Sequence, residues 1–65
     1  MKVTYQGKET EAAPSTIAEF LEAQGVNIKE SVVECNGEIL AGGDALSTAL
    51  AENDTIDAFH IVAGG

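Results

Sequence analysis

An α+β fold, with a mixed sheet of four to five strands packed on one main helix, is what this sequence predicts, and three observations predict it. The two ends of the chain, residues 2–6 and 55–62, are β-prone runs. Between them lies one amphipathic helix with matched start and stop signals, and an Asn-Gly pair in the middle joins two further short strands. A strand pair, a crossover helix and a strand that returns beside the first make a sheet with one face covered by helix. The C-terminus then projects from the end of a central strand.

Each element has its own cause. Residues 2–6 alternate Val3 and Tyr5 against Thr4 and Gln6, the period of a half-buried strand. Gly7-Lys8 is expected to turn the chain, and residues 9–12 to return as a second, polar strand. After Pro14, Thr16 precedes Glu19 by three residues, the spacing of a capping box in which each side chain satisfies the other residue's backbone N–H. Ile17, Phe20, Leu21 and Gln24 then fall on one stripe, with Glu19, Glu22 and Ala23 off it, and Gly25 ends the helix. Following a link through residues 27–31, Val32-Val33-Glu34-Cys35 reads as a strand that Asn36-Gly37 turns back into Glu38-Ile39-Leu40. The type I′ turn needs φ > 0 at both central positions, which Asn and Gly accept most readily. Glu34 and Glu38 are expected to face each other across this hairpin as a solvated pair.

Gly42-Gly43 breaks the pattern, and Asp44-Ala45-Leu46-Ser47 is expected to form a short helical turn capped by Asp44. Glu52-Asn53-Asp54 is a further turn. In the last strand, alternation puts Ile56, Ala58, His60 and Val62 on one face and Asp57, Phe59 and Ile61 on the other. With Ile56 and Ala58 inward, Phe59 and Ile61 form an outward apolar pair, which invites a partner.

At 65 residues the chain makes one domain, placed at residues 1–62, and too small a core for a large enclosed active site. Eleven acidic residues against three Lys and Arg give a net charge of −8, so nucleic acid and anionic membrane are not expected as partners and a basic protein surface is. The single Cys35 cannot form an internal disulfide, and no Cys/His cluster with metal-ligand spacing occurs. No apolar run approaches the roughly 20 residues of a membrane span, and Met1-Lys2-Val3-Thr4 does not open a signal peptide; a cytoplasmic location is expected.

No catalytic constellation is legible. His60 is the only histidine and no spacing marks a nucleophile with its base, Cys35 reads as a small buried hydrophobe, and Gly42-Gly43 is not followed by the Gly-Lys-Ser/Thr of a phosphate loop. What remains is the terminus, Val62-Ala63-Gly64-Gly65. Two glycines add nothing to a core, and residues 63–65 are expected to be a flexible tail. A glycine carboxylate has no side chain beside it and can enter a narrow channel. Extended, the four residues reach about 13 Å at roughly 3.3 Å each. A carboxylate becomes an electrophile once adenylated with ATP, which a separate enzyme must do because this chain has no nucleotide site.

Asn36-Gly37-Glu38-Ile39, Asp54-Thr55-Ile56 and Phe59-His60-Ile61-Val62-Ala63-Gly64-Gly65 are the residues by which the chain resembles the small sulfur carriers of the ubiquitin-like β-grasp superfamily, and most of all their ThiS branch. The resemblance implies a β-grasp fold and a protein cosubstrate that is itself no enzyme and binds no cofactor. It implies that a ubiquitin-activating-type enzyme adenylates Gly65 with ATP, and that a persulfide, supplied through a cysteine desulfurase or similar donor, converts it to a thiocarboxylate. Gly64 and Ala63 would give access, while Phe59, Ile61 and Val62 would be gripped by partners. The acceptor in this branch is a thiazole synthase of thiamin synthesis. Where many relatives have a Pro-Arg pair and an aromatic residue after the hairpin, this chain has Leu40-Ala41-Gly42-Gly43, and it has Asn53 where Gly is usual. Carriers for molybdopterin or for cysteine and homocysteine synthesis, and a ubiquitin-like modifier of proteins, remain alternatives.

Overall fold

The computed structural model describes residues 1–41 and 43–61. Five strands form one mixed sheet: β1 (Lys2–Tyr5), β2 (Lys8–Glu11), β3 (Ser31–Cys35), β4 (Glu38–Leu40) and β5 (Thr55–His60), in the order β2-β1-β5-β3-β4. The last strand is therefore the middle one. It runs parallel to β1, pairing Thr4 with Thr55 and Tyr5 with Ile56, and antiparallel to β3 from Cys35↔Ile56 to Ser31↔His60. The parallel β1–β5 pair is the one that needs a crossover, and the crossover carries the helix.

That helix, α1 (Ile17–Ala23), starts with the capping box expected: Thr16 accepts from the Glu19 backbone N–H at 3.1 Å, and Glu19 accepts from that of Thr16 at 2.9 Å. At its other end Gly25 has φ 86°; its N–H donates to Glu22 and that of Val26 to Leu21, the bond pair of a Schellman stop. Ile17, Ala18, Phe20 and Leu21 are buried against Val3, Val33, Ile56 and Ala58 of the sheet, and Ala45 and Leu50 complete the core. Tyr5 meets Phe20 edge to face, ring centroids 5.6 Å apart. A short helix, α2 (Asp44–Ser47), packs on α1, and residues 48–50 run back along the entry to α1 through Ile17 N–H to Thr48 and Leu50 N–H to Ser15.

The structure corrects several expectations. The first turn is Gln6-Gly7, φ 53° and 81°, and not Gly7-Lys8, so β2 begins at Lys8. Gln24, at the helix end, is exposed, and Ala18 takes the core position beside Ile17, because a seven-residue helix stops before a third turn can bury its stripe. The link before β3 holds a 3₁₀ turn, Ile28–Glu30, capped by Asn27, whose side chain accepts from the Lys29 N–H at 3.1 Å. Gly43, not Asp44, is the N-cap of α2, without a side-chain hydrogen bond. The two-residue turn at Asn36-Gly37 sets Cys35 opposite Glu38 and Glu34 opposite Ile39, so Glu34 and Glu38 do not face each other. The strand ends at His60. Expectations placed on Gly42 and on residues 62–65, including the tail and the boundary drawn after residue 62, lie outside the described residues.

Candidate functional site

The far end of β5 is where this fold delivers its last described residues. Ile56 (0% exposed) and Ala58 (8%) face the helix, so Phe59 (50%) and Ile61 (49%) emerge on the open face of the sheet. Val32 lies opposite Phe59, and in the next row Ile39, Glu34 and Asp57 sit side by side across β4, β3 and β5. Paired residues share a face, so the open face carries Phe59, Val32 and Ile39 with two carboxylates set among them. An apolar surface with carboxylates set in it suits a partner that offers apolar and basic groups together.

Beyond this row the strand is fastened at its tip. The Ile61 N–H donates to the Glu30 carbonyl at 2.7 Å, and the His60 imidazole stands 3.6 Å from the Glu30 carboxylate, both side chains largely exposed. His60 lies on the edge of a shallow cleft with Glu30, Ser31, Val26 and Gln6, and the Ser31 hydroxyl there donates to the Asn27 carbonyl at 2.8 Å rather than to the imidazole. Cys35 is half-buried at the opposite end of the sheet. Desolvation raises its thiol pKa above the ordinary cysteine value, and the charges of Asp54 and Glu38 raise it further; a thiol held protonated is a poor nucleophile. Among the described residues no group of three or more His, Cys, Asp or Glu is arranged to hold a metal ion, and no helix is long and apolar enough to cross a membrane.

Two of the sequence motifs prove to be one piece of structure. Asn36, with φ 54°, donates from Nδ2 to Asp54 Oδ1 at 3.0 Å and accepts at Oδ1 from the Thr55 N–H at 2.9 Å. Asp54 Oδ2 in turn accepts from the Ala51 N–H at 2.8 Å, and Asn53 takes φ 68°, the left-handed conformation its residue type tolerates. Asn36 and Asp54 thus clip the β3–β4 turn to the start of β5. Their role is to set the strand's register, some distance from its working end.

Of the residues singled out in the sequence, Phe59 and Ile61 stand together on the open face as expected, while Val62, Ala63, Gly64 and Gly65 lie outside the described residues. Sequence reasoning missed Val32 as the cross-strand neighbour of Phe59 and Ile39 as a further apolar residue on the same face. Pairing register alone brings them there, and the Asn36-Gly37 turn, counted outward, was the signal that could have found Ile39. Also missed was a groove between α2 and the end of β3, bordered by Ile28, Val32, Leu40 and Leu46, with Glu22, Lys29 and Ser31 also on its lining.

A five-stranded mixed sheet with its last strand at the centre, wrapped on one main helix and open on its other face, defines the chain as a ubiquitin-like β-grasp domain. Within that class the chain belongs to the ThiS family, whose profile matches residues 2–65. The crystal structure of the thiamine biosynthesis protein ThiS from Geobacter metallireducens is similar with a TM-score of 0.82 at 28% identity, covering 100% of this chain and 100% of that one. The solution structure of a thiamine biosynthesis protein from the same organism gives 0.77 at 29% identity, covering 100% of this chain and 88% of the other. No curated protein matches the sequence. Family membership supports a sulfur-carrier role.

Proposed function

We propose that this protein carries sulfur as a thiocarboxylate on Gly65 and is a cosubstrate rather than a catalyst. An activating enzyme transfers AMP from ATP to the Gly65 carboxylate, releasing pyrophosphate. Persulfide sulfur, supplied through a cysteine desulfurase or similar donor, then displaces AMP to give an acyl disulfide, and a thiol attacks the donor's sulfur, forming a disulfide with it and releasing the thiocarboxylate. The thiocarboxylate gives its sulfur to an acceptor enzyme, of which a thiazole synthase in thiamin synthesis is favoured because both similar structures are thiamine biosynthesis proteins. The observation that carries this reading is the family match running through to Gly65, on a fold whose central strand leads to that end. The chain's own contribution is delivery: Gly64 and Ala63 add little bulk, and Phe59, Ile61 and Val62 give the activating enzyme an apolar grip.

Intact-mass analysis after incubation with ATP, a persulfide source and the cognate activating enzyme tests it. Replacement of one oxygen by sulfur, localised to Gly65, is the expected result. No adduct, together with full complementation by a chain lacking Gly64 and Gly65, overturns it.

A further inference from the structure

The first turn of the sheet uses a residue that the turn itself would not select. Gln6 and Gly7 both have positive φ, 53° and 81°, and at the first position of such a turn Asn, Asp or Gly is least strained. The equivalent place in the β3–β4 turn has Asn36 at φ 54°. Gln6 differs from Asn by one methylene, and the structure uses that reach: Nε2 donates to the Ala58 carbonyl at 3.0 Å, across 52 residues of sequence.

Ala58 is where β5 loses its parallel neighbour. The β1–β5 ladder pairs Thr4 with Thr55 and Tyr5 with Ile56, the Gln6 N–H adds a bond to the Ile56 carbonyl at 3.2 Å, and there β1 turns away while β5 continues to His60. In a parallel ladder a longer β1 would have given the next carbonyl a backbone N–H. The Gln6 side-chain amide stands in for it. On its other edge the same stretch is held by β3 and by Ile61 N–H to Glu30.

We propose that Gln6 is a positioning residue for sulfur transfer: by holding Ala58 from the β1 side, its amide fixes the direction in which β5 presents the residues beyond Ile61 to the activating enzyme. This rests on the sulfur-carrier reading. Without the bond the end of β5 is held along one edge only, and fewer docked carriers have their terminus aligned with ATP. Alignment acts on the rate of the bound complex, so kcat falls while the Phe59 face still sets KM.

Gln6→Gly and Gln6→Asn test this, since both relieve the backbone strain of the turn and leave folding intact while removing or shortening the amide. Hydrogen exchange at the Phe59 and Ile61 amides is measured beside pyrophosphate release by the activating enzyme, with the carrier as varied substrate. Loss of one net hydrogen bond predicts exchange faster by roughly 3–10-fold at these two amides, and kcat lower by a similar factor with KM within about twofold. Unchanged exchange and kcat in both variants overturn the proposal, as does a raised KM with unchanged kcat, which makes Gln6 a contact residue. If the wild-type chain itself releases no pyrophosphate, the sulfur-carrier reading fails and the delivery role with it, a result told apart by the inactivity of wild type.

Discussion

Replacing Phe59 by Ala separates docking from folding. A Phe side chain offers on the order of 200 Å², and Phe59 is 50% exposed, so about 100 Å² is covered by its own fold. At about 25 cal/mol per Å² that area is worth at most about 2.5 kcal/mol, and the area kept by Ala and by the compact unfolded chain reduces the loss to about 1–1.5 kcal/mol. A domain of this size should then melt about 5–10 °C lower. The exposed half, buried in a complex, is worth a comparable amount, so the dissociation constant for the activating enzyme should rise about 5–12-fold. Phe20 is the internal control: 4% exposed and packed on Tyr5, it should cost about 3–5 kcal/mol on truncation. Calorimetric melting and titration of the enzyme with each variant decide the matter. A Phe59→Ala melting loss as large as that of Phe20→Ala, with unchanged binding, would refute the assignment of Phe59 to a docking face.

Two further outcomes follow from the clip and the thiol. Asn36→Ala removes the hydrogen bonds to Asp54 and Thr55 and puts a residue type that disfavours positive φ at φ 54°, which should cost about 2–3 kcal/mol in urea unfolding. Asn36→Gly keeps the conformation and should cost about 1 kcal/mol less, so equal losses would show that backbone strain plays no part. Cys35 should alkylate more slowly at pH 8 in the folded chain than in urea, because desolvation and then Asp54 and Glu38 raise its pKa above 9.0. Between the unfolded and the higher folded value the folded state holds the proton more tightly. Stability is therefore undiminished below the unfolded value and falls as pH climbs from there through the folded one, an alkaline loss that Cys35→Ser should abolish.

The legible parts of this protein were those encoded within a few neighbouring residues. Thr16 and Glu19 cap a helix because both partners lie within one turn of chain, Gly25 and Gly37 accept positive φ because they lack a Cβ and Asn36 because its residue type tolerates it, and the alternation through Ile56, Ala58, Phe59 and Ile61 divides inward from outward. The acidic balance and the terminal diglycine are likewise properties of the chain alone. Contacts between segments were decided only by the folded sheet. That Val32 and Ile39 flank the Phe59 face, that Asn36 reaches Asp54, and that Gln6 replaces a missing strand at Ala58 all depend on β5 lying between β1 and β3. Such a register is set by loop closure and core packing over many residues at once, whereas a cap or a turn is set by the residues that form it.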